Sequence, residues 1–149
     1  MIELDLSPER QQIKEAVAAL CERFPDEYWR EKDVNHAFPH EFYAAMAEAG
    51  WFGITMPAEF GGAGLGITEA ALLMQTVGNS AGTLAACSAI HLNIFGPHAI
   101  VVHGTEAQKK AILPPLIAGM DKACFAVTEP DAGLDTTSIT TRAVRNGDG

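Results

Sequence analysis

The chain has 149 residues, 48% of them hydrophobic and 19% charged. That balance excludes a disordered chain and suits one domain with a sizeable core. Its net charge is −9, and the densest basic spot is the pair Lys109–Lys110, which argues against partners that are nucleic acids or anionic membrane surfaces.

The three cysteines, Cys21, Cys87 and Cys124, lie far apart with no C-x-x-C, so neither a disulfide framework nor a zinc knuckle is indicated. The N-terminal stretch is polar and acidic where a secretory leader is basic and then apolar, so a cytoplasmic setting is expected. Residues 70–105 contain no Asp, Glu, Lys or Arg. Polar residues such as Gln75, Asn79, His91 and Asn93 interrupt that stretch, and Gly78, Gly82 and Pro97 punctuate it. It reads as buried helices rather than as a membrane span.

In chain order, Ser7 caps a first helix, with Pro8 in the first turn and Glu9 complementing the helix dipole. Ile13, Ala16, Val17, Leu20, Cys21 and Phe24 form its apolar stripe, and Pro25–Asp26 stop it. Tyr28 and Trp29 follow in a short acidic segment. A second helix begins near Pro39, with Phe42, Met46 and Ala49 inward and Gly50 as its C-terminal cap. A glycine-rich loop, MPAEFGGAGLG, occupies residues 56–66. Thr68 and Glu69 open a third helix carrying Leu72, Leu73 and Val77, which Gly78 ends. The fourth, from about Thr83 to Phe95, is nearly apolar all round and so is expected at the centre of a bundle. Pro97 leads into a short turn ending at Gly104. Thr105 to Gln108 then has the spacing of a capping box, and Pro114–Pro115 are expected to end or kink the helix that follows.

The pattern then changes. KACFAV at 122–127 and ITTRAVR at 139–145 read as strands around the loop TEPDAGLD, and Asn146–Gly147 is a hairpin turn signal. The expectation is a helical domain, residues 1–121, joined to the truncated start of a β domain, residues 122–149.

Several motifs invite chemistry. GGAGLG lacks the G-x-G-x-x-G spacing and no strand precedes it, so it reads as a structural turn. His36 and His40 have Pro39 between them, His91 and His98 are separated by Gly96–Pro97, and no H-E-x-x-H occurs, so no metal site is expected. No serine sits in a nucleophile elbow. Glu129 suits a structural carboxylate bonding loop N–H groups better than a general base. FAVTEPDAGLD, residues 125–135, is the informative element. A strand delivering Val127 and Thr128 into a turn-rich loop could offer N–H groups and a hydroxyl to the rim of a planar heteroaromatic ring. A plain strand–loop–strand explains the spacing equally well.

CFAVTEPDAGLD resembles the middle-domain signature of the flavin-dependent acyl-CoA dehydrogenases. MPAEFGGAGLG resembles that family's glycine loop. HGTEAQKKAILPPLIAGMDKACFAVTEP, residues 103–130, resembles its run from the last N-terminal helix into a β-barrel. The likeness spans nearly the whole chain in order. It implies a mainly α fold: an N-terminal all-α helical bundle followed by the truncated start of a β-barrel middle domain.

The implied activity is α,β-desaturation of an acyl-CoA thioester, with the hydride passing to N5 of FAD. By position, Phe125, Val127 and Thr128 would pack on and hydrogen-bond the flavin, with Gly133 letting the backbone turn beside it. Cys87, Ser88 and His91 would line the acyl pocket, and helix-face counting puts them on one side. Leu134 departs from the family's Ser or Thr and cannot donate the hydrogen bond that helps hold the thioester.

The family's catalytic glutamate, and much of its CoA and FAD contact surface, come from later segments. No residue here is therefore named as catalytic base, and the chain by itself is expected to be inactive. An electron-transfer partner and a homo-oligomer are implied for the full-length protein. The rival readings are a flavin monooxygenase or acyl-CoA oxidase on the same fold, and a non-catalytic helical interaction module.

Overall fold

A computed structural model describes residues 6–147. Seven α-helices form among them: α1 Pro8–Cys21, α2 Asp26–Val34, α3 His40–Glu48, α4 Ile67–Gly78, α5 Thr83–Phe95, α6 His98–His103 and α7 Glu106–Ile117. Short 3-10 turns occur at Trp51–Gly53, Ala58–Phe60 and Thr136–Ser138.

The helix boundaries follow local chemistry. The Ser7 hydroxyl accepts the Arg10 N–H at the start of α1. The Gly66 N–H donates to Glu69 Oε2 at 3.0 Å at the start of α4. At α7 the capping box closes in both directions, with the Thr105 N–H on Gln108 Oε1 at 2.8 Å and the Gln108 N–H on Thr105 Oγ1 at 3.3 Å. Gly50 ends α3 with φ +77°, the left-handed conformation that a side chain resists.

α1 lies along α4, and α4 along α5; α3 and the Trp51–Gly53 turn pack across them, and α7 covers that turn. The main core joins Val17, Phe42, Met46, Phe52, Leu73 and Ile90, all closed to solvent. Phe24, Trp29 and Phe42 meet edge to face, with centroids 5.1–5.4 Å apart. A smaller core under α7 holds Met56, Phe60, Leu113 and Ile117.

Five expectations are corrected. First, the acidic segment after Pro25 is a helix, α2. Asp26 and Glu27 stand in its first turn and Lys32 in its last, matching the dipole, and it ends in a left-handed cap at His36. Second, Ala49 is exposed; the inner face of α3 is Phe42, Tyr43, Ala45 and Met46. Third, the stretch after Pro97 is a short helix rather than a turn.

Fourth, Pro114–Pro115 do not end α7. The helix runs on to Ile117 because the Ala118 N–H reaches the Pro114 carbonyl at 3.0 Å and Leu113, Leu116 and Ile117 are held in the core. Fifth, residues 122–127 and 139–145 form no β-ladder among the described residues, where the one bridge joins Glu129 to Ala132. A strand needs a partner for its backbone groups, and none lies alongside. The turn at Asn146–Gly147 keeps its positive φ at Gly147; residues 148–149 lie outside the described residues.

α5 also differs from the expected central helix. Ala86, Ile90, Asn93 and Ile94 are buried, but Leu84 is 79% exposed. The run Thr83–His103 is long and apolar enough to cross a membrane, yet one of its faces is built into the bundle.

Candidate functional site

The glycine loop is a structural turn. The N–H groups of Ala63, Gly64 and Leu65 donate to the carbonyls of Gly53, Met56 and Ile54 at 2.8, 2.8 and 2.9 Å. A Cβ at Gly62 would collide with the Met56 carbonyl. Donors used in this way are not free to cradle a phosphate.

Two groups of sequence-predicted residues remain, and the structure gathers each one separately. Ser88 and His91 lie on the outer side of α5, and Cys87 sits at its edge, packed toward α4. His91 Nδ1 lies 3.2 Å from the carbonyls of both Cys87 and Ser88, which orients the ring along the helix. The Cys87 thiol points to the Met74 carbonyl at 3.6 Å, and burial pushes its pKa upward, so it is a neutral packing group at neutral pH. Ser88 is exposed and His91 half-buried.

The second group lies on the extended run that leaves α7. Phe125 is 71% exposed, Val127 half-buried and Thr128 exposed, and no hydrogen bond among the described residues engages the backbone of residues 124–128. Neither Val127 nor Thr128 is turned into the bundle. Gly133 sits in open space, and Leu134 is fully exposed. Between the start of this run and the helices lies a groove of about 360 Å³, bordered by Gly96, Pro97, Ile100, Ile112, Leu116 and residues 121–124.

Glu129 is fully engaged. Its Oε2 accepts the Thr140 N–H at 2.9 Å, and its Oε1 accepts the Thr141 N–H at 2.6 Å and the Thr141 hydroxyl. These donors, the Thr140 N–H foremost, hold its pKa down at about 2. It is therefore a structural anion rather than a base. Asp135 accepts in the same way from Ser138 and Thr137, which lower its pKa. Among the described residues no group of three or more His, Cys, Asp or Glu could hold a metal ion.

Sequence reasoning passed over Asn93. It is 3% exposed, and every polar atom of its amide is used. Its Nδ2 donates to the Tyr43 hydroxyl at 2.9 Å, the Asp121 carbonyl at 3.0 Å and the Leu116 carbonyl at 3.3 Å, while its Oδ1 accepts the Ala123 N–H at 2.9 Å. An Asn inside an otherwise apolar helix is the signal that marks it.

Residues 7–120 match the family model described as acyl-CoA dehydrogenase, N-terminal domain. The chain belongs to the acyl-CoA dehydrogenase family. Among relatives of that family it is 37% identical over 145 residues to acyl-CoA dehydrogenase FadE12 of Mycobacterium tuberculosis, covering 95% of this chain and 36% of that protein. It is 34% identical over 143 residues to the NADH-dependent acryloyl-CoA reductase of Anaerotignum propionicum, covering 96% of this chain and 36% of the relative. Among solved structures, a chain from the work on the electron transferring flavoprotein of Acidaminococcus fermentans superposes with a TM-score of 0.84 at 31% identity. That match covers 99% of this chain and 38% of the other. The chain thus corresponds to the N-terminal helical domain of the acyl-CoA dehydrogenase fold and spans little more than a third of these proteins.

Proposed function

We propose that this chain is the N-terminal portion of a flavin-dependent acyl-CoA dehydrogenase. One observation carries the reading: a run with unbonded backbone donors at Val127 and Thr128 leaves the bundle at a point fixed by Asn93, in a chain of this family. Those donors suit the electron-rich edge of a flavin, and these residues supply one edge of a site and not the whole of it. Bound there, FAD would supply the acceptor for the hydride leaving the acyl thioester.

The residues of this chain have limited tasks. Val127 and Thr128 offer N–H and hydroxyl donors, Phe125 offers an apolar ring, and Ser88 and His91 on the outer side of α5 face the acyl chain, with Cys87 packed beside them against α4. Glu129 takes no part in proton removal, being ionised and bonded to Thr140 and Thr141. The dehydrogenase acts with an electron-transfer partner and as a homo-oligomer. The acryloyl-CoA reductase relative favours a second direction, reduction of an unsaturated acyl-CoA, on the same site.

The test is anaerobic titration of the full-length protein with saturated and with α,β-unsaturated acyl-CoAs. Loss of visible flavin absorbance on adding the saturated thioester is the expected result. A full-length protein that carries no flavin, or whose flavin responds to neither class, overturns the reading. The 149-residue chain titrated with FAD should bind weakly and turn nothing over.

A further inference from the structure

We infer that Asn93 is a positioning residue: it fixes where the run carrying Val127 and Thr128 leaves the bundle relative to the acyl-facing side of α5. The inference deepens the dehydrogenase reading and rests on it. α5 carries Ser88 and His91 on its outer side and Asn93 on its buried side, so one helix addresses both halves of the proposed site. The Asn93 amide takes the N–H of Ala123 and donates to the carbonyls of Asp121 and Leu116. It therefore joins the end of α7 to the first residues of the run. The Tyr43 hydroxyl adds a second donor to the Asp121 carbonyl at 3.2 Å, from α3.

Placement is the property at stake. Among the described residues the run has no strand partner, so its position is set where it leaves the bundle: by the Asn93 amide on the Ala123 N–H and by the Lys122 ammonium over the Phe38 and Tyr43 rings at 3.6 and 4.8 Å. Loss of the clamp leaves the Ala123 N–H without its acceptor, while the Asp121 carbonyl keeps the Tyr43 hydroxyl and the Leu116 carbonyl keeps the Gly119 N–H, so the Ala123 end of the run is what loosens.

Two variants test this by two readouts. Asn93→Leu keeps the approximate shape and removes every polar atom; Tyr43→Phe removes only the hydroxyl. In the chain, Asn93→Leu should speed hydrogen exchange at the Ala123 amide at least about fivefold, with interior amides of α1 and α4 unchanged. Tyr43→Phe should cause a smaller acceleration nearby. In the full-length enzyme, Asn93→Leu should change the visible circular dichroism of the flavin and lower kcat about tenfold or more, with little change in KM.

Wild-type exchange at Ala123 and unchanged flavin dichroism in a folded Asn93→Leu protein overturn the inference. So does a uniform loss of protection across the whole bundle in both variants, which marks a purely structural residue. Should Asn93→Leu fail to fold, Tyr43→Phe carries both readouts. A wild-type enzyme with normal flavin behaviour beside unaltered variants sinks only the positioning role, whereas a wild-type enzyme without flavin sinks the dehydrogenase reading itself.

Discussion

The helical bundle and the run that follows it solve the same backbone problem in opposite ways. In residues 8–117 the N–H and C=O groups of the helices close within each helix, α1, α4 and α7 carry side-chain hydrogen bonds at their N-termini, and among the described residues no buried side-chain polar atom lacks a partner. In residues 122–147 the described chain forms no ladder, has only the short 3-10 turn Thr136–Ser138, carries large exposed side chains such as Phe125, Leu134 and Val144, and is tied locally by Glu129 and Asp135. A helix satisfies itself, whereas a strand depends on backbone from elsewhere. The difference separates helices that satisfy their own backbone from a run whose described residues have no ladder partner.

The largest test of that contrast is a pair of truncations. Phe42 is closed to solvent and packs edge to face on Phe24 and Trp29, so Phe42→Ala should cost about 3–5 kcal/mol in urea unfolding. Phe125→Ala, at a 71% exposed position, should stay within about 0.5 kcal/mol of wild type. Equal losses would make the run part of the core and abolish the distinction. Next in size, Thr105→Ala removes one arm of the α7 capping box and should cost about 1 kcal/mol in the same measurement.

The smallest effect belongs to Glu129, and it sharpens the contrast by pH. Its carboxyl is held at about 2, below the ordinary 4.5, so its contribution is complete above the ordinary value and is lost as pH falls through the folded one. Amide NMR should show Thr140 and Thr141 released between pH 4.5 and about 2. Glu41 titrates in the same window, through Lys32 and Tyr28, so the readout is taken at the two threonines rather than from global unfolding. Release of both threonines while Glu129 is still ionised would mean that another group ties them.

What could be read in the sequence tracks the same divide. Helix ends were legible wherever a side chain or glycine does the capping: Ser7, Gly50, Glu69 and the Thr105–Gln108 pair. α2 was hidden because DEYWREKDV has little apolar periodicity; its helical character lies in the charges at its two ends. Pro114–Pro115 misled because the missing N–H groups were weighed without the packing of Leu113 and Ile117. At the candidate site, Ser88 and His91 lie on the open side of α5 while Cys87 turns toward α4. Asn93 was legible as a polar residue inside an apolar helix, but its role was not, because its partners, Tyr43, Leu116 and residues 121–123, lie 23 to 50 residues away in sequence.

The two-sidedness of α5 has an evolutionary consequence. Ala86, Ile90 and Ile94 answer to the bundle, and changing them costs the fold. Leu84 and Ser88 answer only to whatever lies over them, so substitution there is nearly free of folding cost. Such a helix lets a lineage vary its open flank while the inner flank keeps the architecture unaltered.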